Sequence, residues 1–283
     1  MQPFSVETNC LKICGLKKAG GNEVVIALHG WLDNSNSFSP MLENIEPRHT
    51  WYCIDFPGHG LSSWRSDDAH YYFVDYVDDV YQFIKSLNLD KVHLVGHSMG
   101  AMVAGLFASC FKDLVKTVTF IEGIGCITSP SDSVSEQLKS AILNRERVKN
   151  KKQRVYKTKS AIHEARAKTT DLDRQKVVLL MERNIKEIEN GFTLTTDPKL
   201  KNYSGFRFDE LQCIGAIKEM CAPSQLILGN QGYKFVTENL TQYRRYYRDL
   251  AVININGGHH CHMQSSVECF EHIQAFMVHN SAR

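Results

Sequence analysis

The stretch HLVGHSMGAM, residues 93–102, sets a serine between two glycines at the end of an apolar, strand-like run. Its centre, GHSMG at 96–100, fits the G-x-S-x-G pattern, in which a sharp turn between a strand and a helix exposes a nucleophilic serine. The pattern alone is weak, and a serine in a surface turn is the alternative. Here an apolar run precedes it and a small-residue helical segment, AMVAGLFA, follows it, as the motif requires. The sequence therefore predicts that Ser98 is a nucleophile.

Apolar strand-like runs alternate with helical segments on both sides of this turn. Examples are EVVIALHG (23–30), TWYCIDF (50–56) and VKTVTFIEG (115–123), whereas FSVET and LKICGL near the start suggest a hairpin. Strands that are apolar throughout and alternate with helices indicate a parallel sheet that is covered on both faces. We therefore predict an α/β fold with a mostly parallel central sheet flanked by helices.

The alternation stops between residues 126 and 205. This segment is polar, has helical periodicity and shows no strand-like run. It predicts a helical lid, or cap, inserted after the strand that ends at Glu122. The core would then consist of residues 1–125 and 206–283.

The charge of the chain argues against nucleic acid as a general partner. Thirty-three Lys and Arg stand against 31 Asp and Glu, which gives a net charge of +2. From Lys139 to Ile188, 15 Lys and Arg stand against 6 Asp and Glu, a local excess of +9. We interpret this excess as a solvated helical face, and binding to an anionic surface is the alternative.

Cysteine usage and hydropathy bear on the compartment. The nine cysteines are odd in number and scattered, and several lie in apolar runs, as Cys53 and Cys110 do. This favours free thiols in a reducing compartment over a disulfide framework. The first residues lack a signal-peptide pattern, and no apolar run approaches the ~20 residues that span a bilayer. We expect a cytoplasmic protein without a membrane span.

A histidine base is expected after the last apolar strand, in INGGHHCHMQSS (255–266). His259, directly after two glycines, is the first histidine to leave the strand end, and we predict that it is the base. His260 and His262 are expected to pack or to support the site.

The strand SQLILGNQGY (224–233) lacks the carboxylate that would orient this histidine. Its end offers only Asn230, Gln231 and Gly232. Neutral amides do not stabilise an imidazolium as a charge does. The acid must therefore come from another part of the chain.

Glu122 ends the strand that follows the helix after Ser98, so it is expected beside the nucleophile. Because the triad is defined by geometry rather than by sequence order, we predict that Glu122 is the acid. Pairing of Glu122 with a basic residue of the lid is the alternative. Asp33 and Asp55 are ranked behind it, since Asp55 precedes a Pro-Gly turn and Asp33 is expected to fix its own loop.

The segment ALHGWLDN ends another strand and brings its loop towards the serine turn. Acyl transfer needs two backbone donors for the developing oxyanion, and the N–H groups of Trp31 and Met99 are predicted to supply them. The residues expected to border the substrate are His29, Gly30 and His97.

Four segments together resemble the α/β-hydrolase superfamily, and within it the serine-hydrolase-like group: HGWLDNSNSF (29–38), DFPGHGLSS (55–63), GHSMG (96–100) and GGHHCHM (257–263). The resemblance covers about residues 4–125 and 206–278 and implies the hydrolase fold.

The same resemblance implies roles for site residues: Ser98 as nucleophile, His259 as base, and the amides of Trp31 and Met99 as the oxyanion hole. Relatives with haloalkane dehalogenase architecture often place their acid after the strand that follows the nucleophile helix, where Glu122 stands. Dehalogenases and epoxide hydrolases themselves use an aspartate nucleophile, so Ser98 argues against both chemistries.

The predicted activity is hydrolysis of a small carboxylic ester through an acyl-enzyme. This chemistry calls for no metal and no organic cofactor. Hydrolysis of thioesters or of carbon–carbon bonds on the same residues is an alternative, because the lid would shape the pockets. A second alternative is a small-ligand binding protein with incidental turnover.

Overall fold

Eight of the ten strands form a single sheet in the computed structural model, which describes residues 1–9, 11–148 and 153–281. The strands are β1 (Gln2–Glu7), β2 (Lys12–Lys18), β3 (Val24–Leu28), β4 (Thr50–Ile54), β5 (Val92–His97), β6 (Val115–Ile121), β7 (Ile185–Ile188), β8 (Gly191–Leu194), β9 (Ser224–Gly229) and β10 (Leu250–Ile255). The α-helices are α1 (Ser39–Leu42), α2 (Asp75–Ser86), α3 (Met99–Cys110), α4 (Val134–Val148), α5 (Lys159–Ala167), α6 (Arg174–Met181), α7 (Glu210–Glu219), α8 (Lys234–Tyr243), α9 (Cys261–Gln264) and α10 (Ser266–Ser281). Short 3₁₀ turns cover Ser35–Phe38, Lys112–Leu114, Ser131–Ser133, Pro198–Lys201 and Arg244–Tyr246.

The sheet has the strand order β1-β2-β4-β3-β5-β6-β9-β10. β1 and β2 form an antiparallel hairpin, and β2 pairs antiparallel with β4. From β4 to β10 every pairing is parallel. The predicted α/β class and mostly parallel sheet are confirmed, and so is the opening hairpin.

Alternate residues of the central strands pack on opposite faces of the sheet, as the period of two requires. In β3, Val25 and Ala27 belong to an apolar cluster with residues of α1 and α10. Ile26 and Leu28 belong to a second cluster with residues of α2 and α3. Both faces are thus buried, which is why these strands are apolar throughout.

The parallel strands bring the predicted site residues to one edge of the sheet. Ser98 follows β5, Glu122 follows β6 and His259 follows β10, while Trp31 lies in the loop after β3. Since parallel strands end on the same side, these four residues converge where ligands of open α/β sheets bind.

Residues 126–205 contain α4, α5 and α6, as the helical periodicity predicts, but also the antiparallel hairpin of β7 and β8. The prediction that this segment holds no strand is therefore wrong. The hairpin turns at Glu189-Asn190, because Ile188 of β7 pairs with Gly191, the first residue of β8. Gly191 has a φ of 137°, which only glycine adopts readily. Residues 149–152 of the segment lie outside the described residues.

The described part of the chain shows which cysteines are free thiols and whether any helix could cross a membrane. Eight cysteines there are free, and Cys10 lies outside the described residues. Over the same residues, each helix is too short or too polar to cross a bilayer.

Candidate active site

Ser98 sits at a strained turn between β5 and α3, with φ 51° and ψ −114°. Its N–H donates to the carbonyl of Ile121 over 2.9 Å, which ties the turn to β6. A Cβ at Gly96 would lie 2.3 Å from the oxygen of Gly100, and one at Gly100 would lie 2.0 Å from the oxygen of Leu28. Both glycines are therefore required for the turn to fit against its neighbours.

His259 lies between Ser98 and Glu122. Its Nε2 is 2.9 Å from Ser98 Oγ, and its Nδ1 is 3.3 Å from Glu122 Oε2. The ring stacks on Tyr233 with centroids 4.0 Å apart and planes 15° apart. With Nδ1–H directed at the carboxylate, Nε2 is left as the acceptor that faces the serine hydroxyl.

Glu122 reaches His259 from the end of β6 and is only 1% exposed. Its carboxylate accepts the N–H of Gly229 over 2.8 Å and the N–H of Tyr233 over 3.2 Å. Its ion-pair partner is His259 rather than a basic residue of the described part of segment 126–205. Like Ser98, Glu122 has a left-handed backbone, with φ 49°.

The end of β9 makes room for this carboxylate. A Cβ at Gly232 would lie 2.3 Å from both carboxylate oxygens of Glu122. β9 and the turn after it have no carboxylate of their own. They donate two N–H groups to Glu122, and Gly232 leaves space for the Glu122 carboxylate.

The two residues predicted to supply oxyanion donors lie on either side of the serine turn. Met99 is the first residue of α3, where backbone N–H groups have no partner within the helix. Trp31 lies in the loop after β3, with half of its side chain exposed and its Nε1 donating to the carbonyl of Leu200 over 3.3 Å. Leu32, which follows it, has a φ of 64°. This loop is thus held in a conformation that most residues avoid.

The side chains of His29 and His97 are both buried and contact backbone groups. His29 Nε2 accepts the N–H of Phe56 over 2.9 Å, and His97 Nε2 donates to the carbonyl of His259 over 2.8 Å. Burial lowers the pKa of both rings. At Gly30, a Cβ would lie 2.9 Å from His97. These contacts hold the loops around the serine turn, and the prediction that the three residues border the substrate stays a prediction.

Asp55 organises loops away from the catalytic histidine. Its carboxylate accepts the N–H groups of Ser35 and Leu61 over 2.8 and 3.0 Å, and Arg183 of segment 126–205 donates to it over 2.6 Å. Asp33 pairs with Arg166 of the same segment over 2.6 Å. Two cations of the basic excess predicted to be solvated are therefore bound to buried carboxylates of the sheet edge. Of the others, Lys149, Lys151 and Lys152 lie outside the described residues.

His262 and His260 have contrasting environments. His262 is fully buried against His97 and Phe38, with ring centroids 4.2 and 5.6 Å away, and burial lowers its pKa to about 3. His260 contacts Asp171 through Nδ1 and Asp33 through Nε2, the latter over 3.3 Å. Asp171 and Arg166 were missed by sequence reasoning, since both lie in a segment without a recognisable motif.

Within the described residues, two groups of side chains have the donor types that bind metals: Glu23 with His49 and His93, and Asp33 with His97 and His260. In the first, Lys116 contacts the Glu23 carboxylate. In the second, Arg166 contacts Asp33. Because a cationic side chain already occupies each carboxylate, we assign no metal to either group.

A cavity of about 1170 Å³ lies between segment 126–205 and residues 64–70 of the loop after β4. Leu32 and Arg166 border it, whereas Ser98 and His259 are not among its lining residues. Its wall carries both charge signs, for example Lys199 and Asp67. The cavity adjoins the loop of Trp31 rather than the serine itself.

The chain matches the model of the alpha/beta hydrolase fold family over residues 23–265. A serine hydrolase-like protein of Danio rerio is 30% identical over 254 residues, which cover 85% of this chain and 77% of the relative. A serine hydrolase-like protein of Dictyostelium discoideum is 28% identical over 273 residues, covering 90% and 75%. Among solved structures, a hypothetical protein from Pseudomonas aeruginosa superposes with a TM-score of 0.90 at 26% identity, covering 98% of this chain and 100% of its own.

Proposed function

Because the chain belongs to the alpha/beta hydrolase fold family, we propose that it is a serine hydrolase that cleaves carboxylic esters through an acyl-enzyme on Ser98. The observation that carries the proposal is the 2.9 Å separation of Ser98 Oγ and His259 Nε2, with Glu122 on the other ring nitrogen. A serine hydroxyl is a weak nucleophile until an adjacent base takes its proton.

In this mechanism, Ser98 Oγ attacks the ester carbonyl while His259 removes the proton of the Ser98 hydroxyl. The N–H groups of Met99 and Trp31 stabilise the developing oxyanion. Glu122 stabilises the imidazolium, which then protonates the leaving alcohol. A water activated by His259 hydrolyses the acyl-enzyme and frees Ser98.

We propose that segment 126–205 is a cap over this edge. Three kinds of contact support a fixed position: the ion pairs of Arg166 and Arg183, the hydrogen bonds of Asn34 and Asn36 to the carbonyls of α6, and a small apolar cluster that includes Met263. A cap in this position excludes water and shapes the pockets for acyl and alcohol groups.

The test is hydrolysis of p-nitrophenyl butyrate by wild type, Ser98→Ala and Glu122→Gln. We expect Ser98→Ala to lose at least about 10³-fold in kcat and Glu122→Gln about 10²- to 10⁴-fold. Ser86→Ala, an exposed serine on α2, is the matched control and should retain full activity.

A substrate panel separates the remaining chemistries. Turnover of acyl-thioesters or vinylogous diketones but not of esters would reassign the substrate class. One acylation event without release would instead support a ligand-binding role. Full activity of Glu122→Gln would remove Glu122 from the mechanism.

A further inference from the structure

Four charged side chains form a continuous chain beside the catalytic histidine. Arg166 donates to Asp33 Oδ1 over 2.6 Å, and Asp33 Oδ2 lies 3.3 Å from His260 Nε2. His260 Nδ1 in turn contacts Asp171. Positive and negative groups alternate, so the chain balances its own charge.

His260 must carry two protons to satisfy this arrangement. Both ring nitrogens face carboxylate oxygens, and a neutral imidazole has only one N–H to donate. Burial by itself lowers the pKa of His260, but hydrogen bonds to Asp171 and Asp33 raise it to about 9. With both nitrogens engaged, His260 is not available as a base for Ser98.

The chain of charges joins three separate parts of the molecule. Asp33 lies two residues after Trp31, and His260 directly follows His259. Arg166 and Asp171 both belong to segment 126–205. The charged contacts therefore connect this segment to the loop of Asp33 at one end and to the loop of His260 at the other.

Asp171 also lies directly on the backbone that carries His259. Its Oδ2 accepts the N–H of His260 over 3.0 Å, and its carbonyl accepts from Gln264 Nε2 over 2.9 Å. A Cβ at Gly258 would lie 2.3 Å from the same Oδ2. The glycine before His259 therefore leaves space for a carboxylate from outside the hydrolase core.

We propose that Asp171 is a positioning residue: by holding His260 against Asp33 it fixes the loop that carries His259 and the loop that carries Trp31. The inference rests on the proposed function, since it assigns the reason why His259 stays aligned with Ser98. Asp171 does not touch the reacting atoms and acts through the backbone and ring of His260. Segment 126–205 thereby completes the geometry of the catalytic edge.

The test is the rate at which a fluorophosphonate labels Ser98, followed by mass spectrometry. In this reaction the Oγ–P bond forms, the P–F bond breaks, and the serine proton passes to His259, so the rate reports nucleophile activation without an ester substrate. We expect Asp171→Asn to label about 10- to 100-fold more slowly, because small displacements of a base are costly. KM for p-nitrophenyl butyrate should change much less than kcat.

The matched control is Asp173→Asn, two residues away. Asp173 is exposed and caps α6 through the N–H of Lys176, a role that asparagine also fills. This variant should label like wild type. If Asp173→Asn is also labelled slowly, the effect arises from the loop as a whole rather than from Asp171, and the proposal is overturned.

The pH dependence gives a readout that a purely structural role would not move. In wild type, the labelling rate should fall as pH rises through about 9, where His260 loses one of the two N–H protons that it donates to Asp33 and Asp171. In Asp171→Asn the labelling rate should fall at a pH at least about one unit lower, because removal of the Asp171 carboxylate lowers the pKa of His260. The titratable and charged groups that face His260, directly or through Asp33, are Asp33, Asp171, Arg166, His97, His259 and His262.

The outcomes distinguish the two proposals. If wild type is not labelled at Ser98, the proposed function fails and this inference fails with it. If wild type is labelled and Asp171→Asn is labelled equally fast, only the inference fails. If Asp171→Asn does not fold, the wild-type profile decides, and a rate that stays constant through pH 9 overturns the inference.

Discussion

The neighbouring strands β6 and β9 end side by side but contribute differently to the site. β6 continues into Glu122, whose backbone is left-handed and whose carboxylate is buried. β9 continues into a turn without a carboxylate, yet this turn donates two N–H groups to Glu122 and leaves it room at Gly232. The proposed acid is thus placed by its distance from His259 Nδ1, 3.3 Å, and the comparison raises the question whether the end of β9 could supply a carboxylate to the same nitrogen.

Backbone strain is concentrated at the residues of the candidate site. Among non-glycine residues of the described chain, left-handed backbone occurs at Leu32, Asn88, Ser98 and Glu122, and three of these four belong to the site. Each such residue costs on the order of 1–3 kcal/mol. The hydrogen bonds from Ser98 N to Ile121 and from Glu122 N to Ile227 help to offset that cost.

Moving the acid from β6 to β9 tests the comparison with the largest expected effect. Glu122→Ala should lose about 10³- to 10⁴-fold in kcat, because nothing then stabilises the imidazolium of His259. Adding Gly232→Asp places a carboxylate in the vacated space, and we expect it to recover at least about tenfold. The measurement is kcat for p-nitrophenyl butyrate. If kcat does not recover in the double variant, a carboxylate near His259 Nδ1 is not sufficient, and the acid must come from the end of β6.

Crowding the same space gives an intermediate effect. Gly232→Ala brings a Cβ within 2.3 Å of the Glu122 carboxylate, so the carboxylate must move away from its present position. We expect a loss of about 10- to 100-fold in kcat and a destabilisation of about 1–3 kcal/mol in denaturant unfolding.

The control for this variant is Gly215→Ala in α7, where a Cβ would meet no atom within 4 Å. It should leave kcat unchanged and stabilise the protein by up to about 1 kcal/mol, since alanine favours helix. Equal kcat values for the two variants would show that the space at Gly232 is not needed by Glu122.

The smallest effect is expected at Asn230, one of the three residues that the sequence offers at the end of β9 in place of a carboxylate. Asn230 Oδ1 accepts the N–H of Gly257 over 3.1 Å, and its Nδ2 donates to Asn256 over 3.1 Å. Asn230→Asp should change kcat by less than about twofold. When Asn230→Asp is added to Glu122→Ala, kcat should stay as low as in Glu122→Ala alone. Recovery of activity in that double variant would show that Asn230, not Gly232, marks the position of an acid on β9.

The sequence was sufficient to predict the sheet class and the convergence of Ser98, Glu122 and His259. These predictions rest on local signals, namely apolar strands, a glycine-flanked serine and polar residues directly at strand ends. The parallel pairing of β5, β6, β9 and β10 then brings the ends that carry Ser98, Glu122 and His259 to one edge of the sheet.

The rest depended on contacts between distant parts of the chain. Asp171 and His260 are 89 residues apart, and Arg166 and Asp33 are 133 apart, so no spacing pattern connects them. The burial of the His29 and His97 side chains also depends on contacts with distant residues, namely Phe56 for His29 and His259 for His97. The hairpin of β7 and β8 was missed because its strands have only four residues each, too few for a clear alternation of apolar and polar residues.

The central claim is that Ser98 forms an acyl-enzyme through a histidine oriented by Glu122 from β6. Rapid quenching of p-nitrophenyl butyrate reactions, followed by mass spectrometry of the peptide that contains Ser98, measures this step directly. The account predicts a butyryl ester on Ser98 in wild type, none in Ser98→Ala, and formation slowed by at least about 10²-fold in Glu122→Gln. A butyryl group on another residue, or equal rates in wild type and Glu122→Gln, would contradict it.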